Sequence, residues 1–110
     1  MRRGEIWTVA GGGDYAGKPR PAAIIQDDKF DTDSVTVCPF TTDSTEAPLF
    51  RVEIEPSADN GLSHACRLMI DKITTVRRSR LGERVGELSD ADVVRLDRAI
   101  VVFLGIASSG

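Results

Sequence analysis

The stretch Lys18–Thr42, KPRPAAIIQDDKFDTDSVTVCPFTT, decides how this chain folds. It contains two apolar segments, Pro21–Gln26 and Ser34–Phe40, separated by an acidic connector rich in turn-forming residues. Neighbouring strands joined by a short connection usually pair antiparallel. We therefore expect the beginning of the first strand and the end of the second strand to meet at the same edge of a sheet.

That edge carries the best chemical clue in the sequence. Arg20 stands at the entrance of the first predicted strand, and Thr41 and Thr42 follow the second. A guanidinium group matches two phosphate oxygens at once, so an arginine converging with hydroxyls predicts a site for an anionic ligand. Asp71, at the end of a later predicted strand, is a third polar group that can reach the same rim. The alternative for Asp71 is an ordinary turn residue.

The remainder of the chain predicts more strands and one helix. Ser89 is an N-cap residue with Asp92 three positions later, and Gly105 ends the apolar periodicity of the helix. Its apolar positions are Val93, Leu96, Ile100, Phe103 and Leu104. The other predicted strands are Glu5–Ala10, Phe50–Glu55, Ala65–Ile70, Ile73–Arg77 and Glu83–Glu87. This pattern predicts a mainly β (α+β) fold, a small and strongly curved antiparallel β-barrel with a C-terminal α-helix.

Length and charge limit the number of domains and the kinds of ligand that this chain can have. The 110 residues predict a single domain over residues 1–110, with residues 107–110 as a frayed tail. A net charge of −3 argues against bulk, non-specific binding of nucleic acid. The segment Arg77–Arg84 nevertheless holds four arginines against one glutamate. It is either a solvated face or a surface that follows phosphates.

Several site types lack support. The only nitrogen and sulfur ligands are His64, Cys38 and Cys66, without the paired spacing of a metal site, so we expect no metal and no cofactor. Both cysteines lie in apolar segments and are expected to be buried free thiols in a reducing cytoplasm. No apolar stretch approaches the roughly 20 residues that span a bilayer. These features predict a soluble, cytoplasmic protein.

The chain resembles a known family over almost its whole length, from Met1 to Ile106. The segments that carry the resemblance are RRGEIW, KPRPAAIIQDD, VTVCPFTT, SHACRLMIDKITTV, RLGERVGELSD and RAIVVFLGI, in this order and spacing. They are similar to the MazF/PemK (Kid) toxins of bacterial type II toxin–antitoxin pairs. The resemblance implies an SH3-like barrel, a homodimer, and metal-independent, sequence-specific cleavage of single-stranded RNA, often mRNA. It also implies a MazE-like antitoxin as partner, and inhibition of translation and growth.

The resemblance also implies roles for individual residues. The family's catalytic arginine falls on Arg20 and its threonine on Thr41, and an aspartate described as functional in some members falls on Asp71. Further RNA contacts are expected from Tyr15, which is available to stack on a base, and from Lys18, Thr42, Lys72, Arg77 and Arg78. The chain departs from many relatives at Lys72, where they carry glutamine, and from some at Met69, where they carry arginine.

Two other functions remain open from sequence. One is a CcdB-like toxin of the same fold that binds DNA gyrase and has no nuclease activity. The other is an inactive barrel module that binds nucleic acid or peptide. The RNA sequence cleaved, the identity of the antitoxin and a catalytic role for Asp71 are not determined by the sequence.

Overall fold

The structure, a computed structural model, describes residues 1–11, 18–47 and 49–108. They form seven strands and one α-helix, with 3₁₀ turns at Ile70–Lys72 and Arg78–Arg80. The elements are β1 (Glu5–Val9), β2 (Arg20–Ile24), β3 (Ser34–Thr41), β4 (Arg51–Ile54), β5 (Cys66–Met69), β6 (Thr74–Arg77), β7 (Leu81–Glu87) and α1 (Asp90–Phe103).

The strands form one curved antiparallel sheet in the order β4-β5-β3-β2-β1-β7, with β6 also paired to β3. The predicted mainly β fold with a C-terminal helix is therefore confirmed. The hydrogen-bonded order of the described strands ends at β4 and β7, so the sheet curves like a barrel without closing. The central strand is β3, because β2 flanks one side of it and β6 and then β5 follow the other side.

The connector between β2 and β3 is built from turns. The Asp27 carboxylate accepts a hydrogen bond from the backbone N–H of Lys29, which is an Asx turn, and the Asp27 carbonyl accepts one from the Phe30 N–H. The Gln26 side chain spans the connector by donating to the Phe30 carbonyl and accepting from the Thr36 N–H. Side-chain hydrogen bonds thus hold the connector in place of regular secondary structure.

Alternation along β3 divides the core between the two faces of the sheet. Cys38 and Phe40 belong to the larger apolar cluster, which also includes Leu96 of the helix. Val35 and Val37 point to the other face and pack in a smaller cluster with Ala22, Ile24 and Val76. Because successive strand residues point to opposite faces, β3 supplies both clusters.

The helix begins as its sequence predicted. The Ser89 hydroxyl accepts a hydrogen bond of 3.1 Å from the Asp92 N–H, which identifies it as the N-cap. The Asp92 carboxylate accepts a hydrogen bond from Arg95. Leu96 is completely buried, whereas Phe103 and Leu104 are 46% and 61% exposed. The predicted apolar face therefore packs on the sheet near its middle and is open at its C-terminal end.

Both cysteines are buried free thiols, as predicted. The described residues contain no helix that is both long and apolar enough to cross a membrane.

Candidate active site

The two strand ends that carry Arg20 and Thr41 meet as the sequence predicted. The pairing of β2 with β3 places Ala22 opposite Pro39 and Ile24 opposite Val37. Continued by two residues, this register brings Arg20 level with Thr41. Strand alternation also puts the two residues on the same face. Arg20 faces the same side of β2 as Ala22, Thr41 faces the same side of β3 as Val37, and Ala22 and Val37 belong to one cluster.

A groove of about 300 Å³ opens beside Arg20 on this face. Its cationic residues are Arg20, Lys72 and Arg80, which come from β2 and from the two 3₁₀ turns. Its other lining residues are mostly apolar: Val9, Ala10, Gly11, Pro21, Ala22, Val37, Pro39, Phe40, Thr74, Thr75 and Val76. We call this cavity the Arg20 groove. Among the described residues, neither Lys72 nor Arg80 has a salt-bridge partner.

Thr41 follows the groove residues Pro39 and Phe40 directly. Its hydroxyl oxygen accepts a hydrogen bond of 3.1 Å from the Asp43 N–H. The hydroxyl proton is therefore directed away from that contact and can be donated to a ligand. Thr42, the next residue, is exposed in the loop after β3.

Asp71 is not among the residues that line the Arg20 groove, and its carboxylate is bound by Arg51. Arg51 donates to it from Nε at 2.8 Å and from Nη2 at 3.0 Å, so both carboxylate oxygens accept a hydrogen bond. These hydrogen bonds from Arg51 lower the pKa of Asp71. The sequence pattern does not predict this interaction. Arg51 lies opposite Met69 in the β4–β5 register, so it brings a guanidinium beside Asp71 from the neighbouring strand.

Two of the predicted RNA-binding residues do not line the Arg20 groove. Arg77 lies opposite Ser34, roughly 23 Å along β3 from Thr41, and strand alternation turns it to the other face from its neighbour Val76, which lines the groove. Arg78 donates to the Thr32 carbonyl and contacts the Met1 sulfur. The same basic segment instead contributes Arg80 to the groove. The β1–β7 register, which places Leu81 opposite Val9, explains this position, and sequence periodicity does not reveal it.

Two further predicted contacts lie on the segment that precedes β2. Lys18 is exposed two residues before Arg20. Tyr15 lies outside the described residues.

A second basic cavity of about 410 Å³ lies along the outer edge of β4. It contains Arg51, Arg67, Arg95 and Arg98, and we call it the β4-edge groove. Arg67 forms salt bridges with Glu46 and Glu53, and Arg95 with Asp92. Three of its four arginines are therefore neutralised by carboxylates.

Neither cysteine nor histidine chemistry has a site in the described part of the chain. Burial, with a smaller contribution from the nearby Asp71 charge, raises the pKa of the Cys38 thiol to about 12, so it remains protonated and unreactive. His64 is exposed before β5. Within residues 1–11, 18–47 and 49–108 no group of three His, Cys, Asp or Glu side chains is arranged to bind a metal ion.

Comparison with known proteins identifies the family. Residues 2–104 match the model of PemK-like, MazF-like toxins of type II toxin–antitoxin systems. The chain belongs to this PemK/MazF toxin family. It is 63% identical over 108 residues to a probable endoribonuclease MazF of Mycolicibacterium smegmatis, covering 97% of this chain and 99% of that protein.

Solved structures of PemK/MazF toxins share the fold. The Mycobacterium tuberculosis toxin MazF-mt6 superposes with a TM-score of 0.77 at 25% identity, covering 92% of this chain and 96% of that one. A mycobacterial endoribonuclease in complex with its cognate antitoxin superposes with a TM-score of 0.80 at 23% identity, covering 97% of both chains. At that identity the second comparison supports the fold only.

Proposed function

We propose that this toxin is a metal-independent, sequence-specific endoribonuclease that cleaves single-stranded RNA in the Arg20 groove. The observation that carries the proposal is the convergence of Arg20, Lys72 and Arg80 on a largely apolar groove beside Thr41. Such a groove attracts a phosphate backbone and offers apolar surface to unstacked bases. The 63% identical relative that is named a probable endoribonuclease supports the same activity.

RNA carries its own nucleophile, which explains how the reaction can proceed without a metal. The 2′-oxygen attacks the adjacent phosphorus, and the bond from phosphorus to the 5′-oxygen breaks. The 2′-hydroxyl loses its proton and the departing 5′-oxygen gains one. The products are a 2′,3′-cyclic phosphate and a 5′-hydroxyl end. The protein must align these atoms and stabilise the charge that develops on the phosphoryl oxygens.

Arg20 is suited to charge stabilisation. Its guanidinium presents several hydrogen-bond donors in a planar fork, so it can bind two phosphoryl oxygens at once. Lys72 and Arg80 add positive charge along the groove, and Thr41 donates its hydroxyl to a phosphoryl oxygen or to the 2′-oxygen. Since Asp71 does not line the Arg20 groove and its carboxylate is paired with Arg51, we assign the proton transfers to water.

The remaining predicted contacts lie at the edges of this site. We propose that Thr42 and Lys18 contact nucleotides next to the cleaved bond, from the loop after β3 and the segment before β2. Tyr15 stays a candidate for base stacking. Arg77 and Arg78 are kept only as contacts to a distant part of a longer RNA, since they lie at the other end of β3.

The partners proposed are an antitoxin and a second copy of the chain. A structural relative was solved with its cognate antitoxin, and a MazE-like protein is the corresponding partner here. The open C-terminal end of α1, with Phe103 and Leu104 exposed, suits burial in a homodimer. Acting on mRNA, such a toxin would work in the cytoplasm and inhibit translation and growth.

The test uses a synthetic single-stranded RNA in EDTA, with the cleaved ends mapped by sequencing. Wild-type protein should cut at defined positions, leave 5′-hydroxyl ends, and fail on an RNA whose nucleotide before the cut carries 2′-deoxyribose. Arg20→Ala should lower the cleavage rate by at least about 10²-fold, whereas Arg95→Ala in the β4-edge groove, whose charge Asp92 balances, should cut normally. Cleavage at the wild-type rate in Arg20→Ala, or cleavage that requires added metal, would contradict the proposal.

The alternative of a gyrase-binding toxin is not retained. No feature of the described residues favours it, and two curated relatives of this chain are endoribonucleases by name.

A further inference from the structure

The Arg51–Asp71 pair is more firmly held than a surface salt bridge. The two hydrogen bonds run side by side at 2.8 and 3.0 Å, and the side chains are only 16% and 23% exposed. The Arg51 guanidinium also lies over the Phe50 ring, 5.9 Å from its centre. A planar fork with two donors and an aromatic neighbour has little rotational freedom. The pair therefore acts as a rigid link between β4 and the turn that carries Asp71.

That turn has two attachments. Ile70 is 1% exposed and packs in the larger apolar cluster, and its N–H donates a hydrogen bond of 3.0 Å to the Phe50 carbonyl. Ile70–Lys72 is nevertheless a single 3₁₀ turn without a side-chain cap at its N-terminal end, and such a turn has poorer hydrogen-bond geometry than an α-helix. Arg51 supplies the polar side-chain contact that fixes Asp71, in the middle of this turn.

The orientation matters because the next residue faces the Arg20 groove. Lys72 ends the turn and lines the groove together with Thr74 and Thr75 of β6. Asp71 and Lys72 are adjacent in the chain, so fixing one side chain restricts the direction of the other. The β4 strand, which does not line the Arg20 groove, therefore controls the position of one of its three cations.

We propose that Arg51 is a positioning residue for RNA cleavage: it holds Asp71, and through the shared turn it holds Lys72 at the phosphate-binding rim. In this role the Asp71 carboxylate stays hydrogen-bonded to Arg51 and transfers no proton. The inference rests on the proposed endoribonuclease function and adds to it a residue outside the groove.

The alternative role of Asp71, as a general base or acid, conflicts with its surroundings. A base must lie within hydrogen-bond reach of the 2′-hydroxyl, but Asp71 is not among the residues that line the Arg20 groove, and each of its oxygens already accepts one hydrogen bond from Arg51. Hydrogen bonds to the charged carboxylate lower its pKa, which also makes it a weaker base at neutral pH.

The test is a double-mutant cycle on the cleavage of a defined RNA, with kcat/KM measured from pH 5 to 9. Arg51→Lys keeps the charge and loses the paired donors, and it should lower kcat/KM about 5- to 10-fold. In a Lys72→Ala background the same change should cost less than about 2-fold, because the residue that it positions is gone. Arg84→Lys, in the Arg84–Glu5 pair on β7, is the matched control and should have no effect.

Asp71→Asn separates positioning from proton transfer. The positioning role predicts a loss similar to that of Arg51→Lys, no further loss when the two changes are combined, and a pH profile of unchanged shape. If circular dichroism shows that Arg51→Lys does not fold, the pH profile of Asp71→Asn tests the inference by itself.

Three results would overturn the inference. The first is undiminished cleavage by Arg51→Lys. The second is a double variant, Arg51→Lys with Lys72→Ala, whose fold-loss of kcat/KM equals the product of the two single losses. The third is a pH profile of Asp71→Asn that has lost one of its limbs. Each requires active wild-type enzyme. Wild-type protein that cuts no RNA would instead contradict the proposed function.

Discussion

The two basic grooves of this toxin differ in what neutralises their cations. In the β4-edge groove Arg51, Arg67 and Arg95 each bind a carboxylate of the same chain. In the Arg20 groove Lys72 and Arg80 have no salt bridge to a described residue. The β4-edge groove is the larger of the two and contains four arginines, yet its charge is largely balanced.

The difference shows that counting basic residues does not locate a nucleic-acid site. A neutralised arginine must exchange its carboxylate for a phosphate, so it gains little by binding RNA. A cation without a carboxylate partner gains the whole interaction and releases counterions from the RNA. We therefore expect variants of Lys72 and Arg80 to change activity, and variants of Arg67 and Arg95 to change stability first.

The largest expected effect separates the two grooves directly. Arg20→Ala should lower the cleavage rate by about 10²- to 10³-fold, as is typical when one donor to a developing anion is removed. Arg95→Ala, in the β4-edge groove, should stay within about 2-fold of wild type, because Asp92 already balances its charge. Initial rates on a fluorescent RNA oligonucleotide measure both. Equal losses of cleavage rate in the two variants would show that the two grooves do not differ in their role in cleavage.

The next effect concerns stability. Arg51→Ala leaves the Asp71 carboxylate without its partner and should lower the free energy of unfolding by about 1–3 kcal/mol at pH 7. Lys72→Ala should change it by less than about 0.5 kcal/mol. Urea denaturation measures both values. A larger loss of unfolding free energy in Lys72→Ala than in Arg51→Ala would show that Lys72 contributes more to the stability of the fold than Arg51.

The difference in stability between wild type and Arg51→Ala should depend on pH. Arg51 lowers the pKa of Asp71 below its ordinary value of 3.8, so the pair stabilises the fold fully above that value. Its contribution is lost as the pH falls through the lowered pKa and Asp71 becomes protonated. Wild type and Arg51→Ala should therefore converge in stability in strong acid. A constant difference from pH 7 to the acid limit would show that the lost packing of Arg51 dominates.

A smaller effect is expected on RNA binding. Lys72→Ala and Arg80→Ala should each weaken binding about 5- to 10-fold, and each should reduce the slope of log K against log salt by about 0.7. Arg95→Ala should leave the slope unchanged, because its charge is already balanced by Asp92. Binding of a non-cleavable 2′-deoxy-substituted RNA at several salt concentrations provides the slopes. A reduced slope in Arg95→Ala would mean that the RNA enters the β4-edge groove.

The smallest effect tests how much the balancing carboxylates contribute. Glu46 is 83% exposed and pairs with Arg67 at 3.3 Å. Glu46→Ala should cost less than about 0.5 kcal/mol of stability, as is usual for exposed salt bridges. Because it frees part of the Arg67 charge, it should also raise the salt slope slightly. Thermal and urea denaturation together with the binding assay check both expectations.

The features that the sequence determined are those that depend on short-range patterns. Alternation located the strands and turned Arg20 and Thr41 toward one face, and the Ser89 cap located the start of the helix. A short connection between β2 and β3 was enough to bring Arg20 level with Thr41. Their assignment as a site followed from these local rules together with the resemblance to a family.

The features that only the tertiary structure decided depend on the pairing of strands distant in sequence. Arg51 and Asp71 are 20 residues apart and meet because β4 pairs with β5 in one particular register. Arg80 enters the groove because β7 pairs with β1, while Arg77 is carried to the far end of β3. Periodicity along the chain defines the face of each strand but leaves open which strand lies beside it and in what register. The register therefore decided which cations line the groove and which are neutralised.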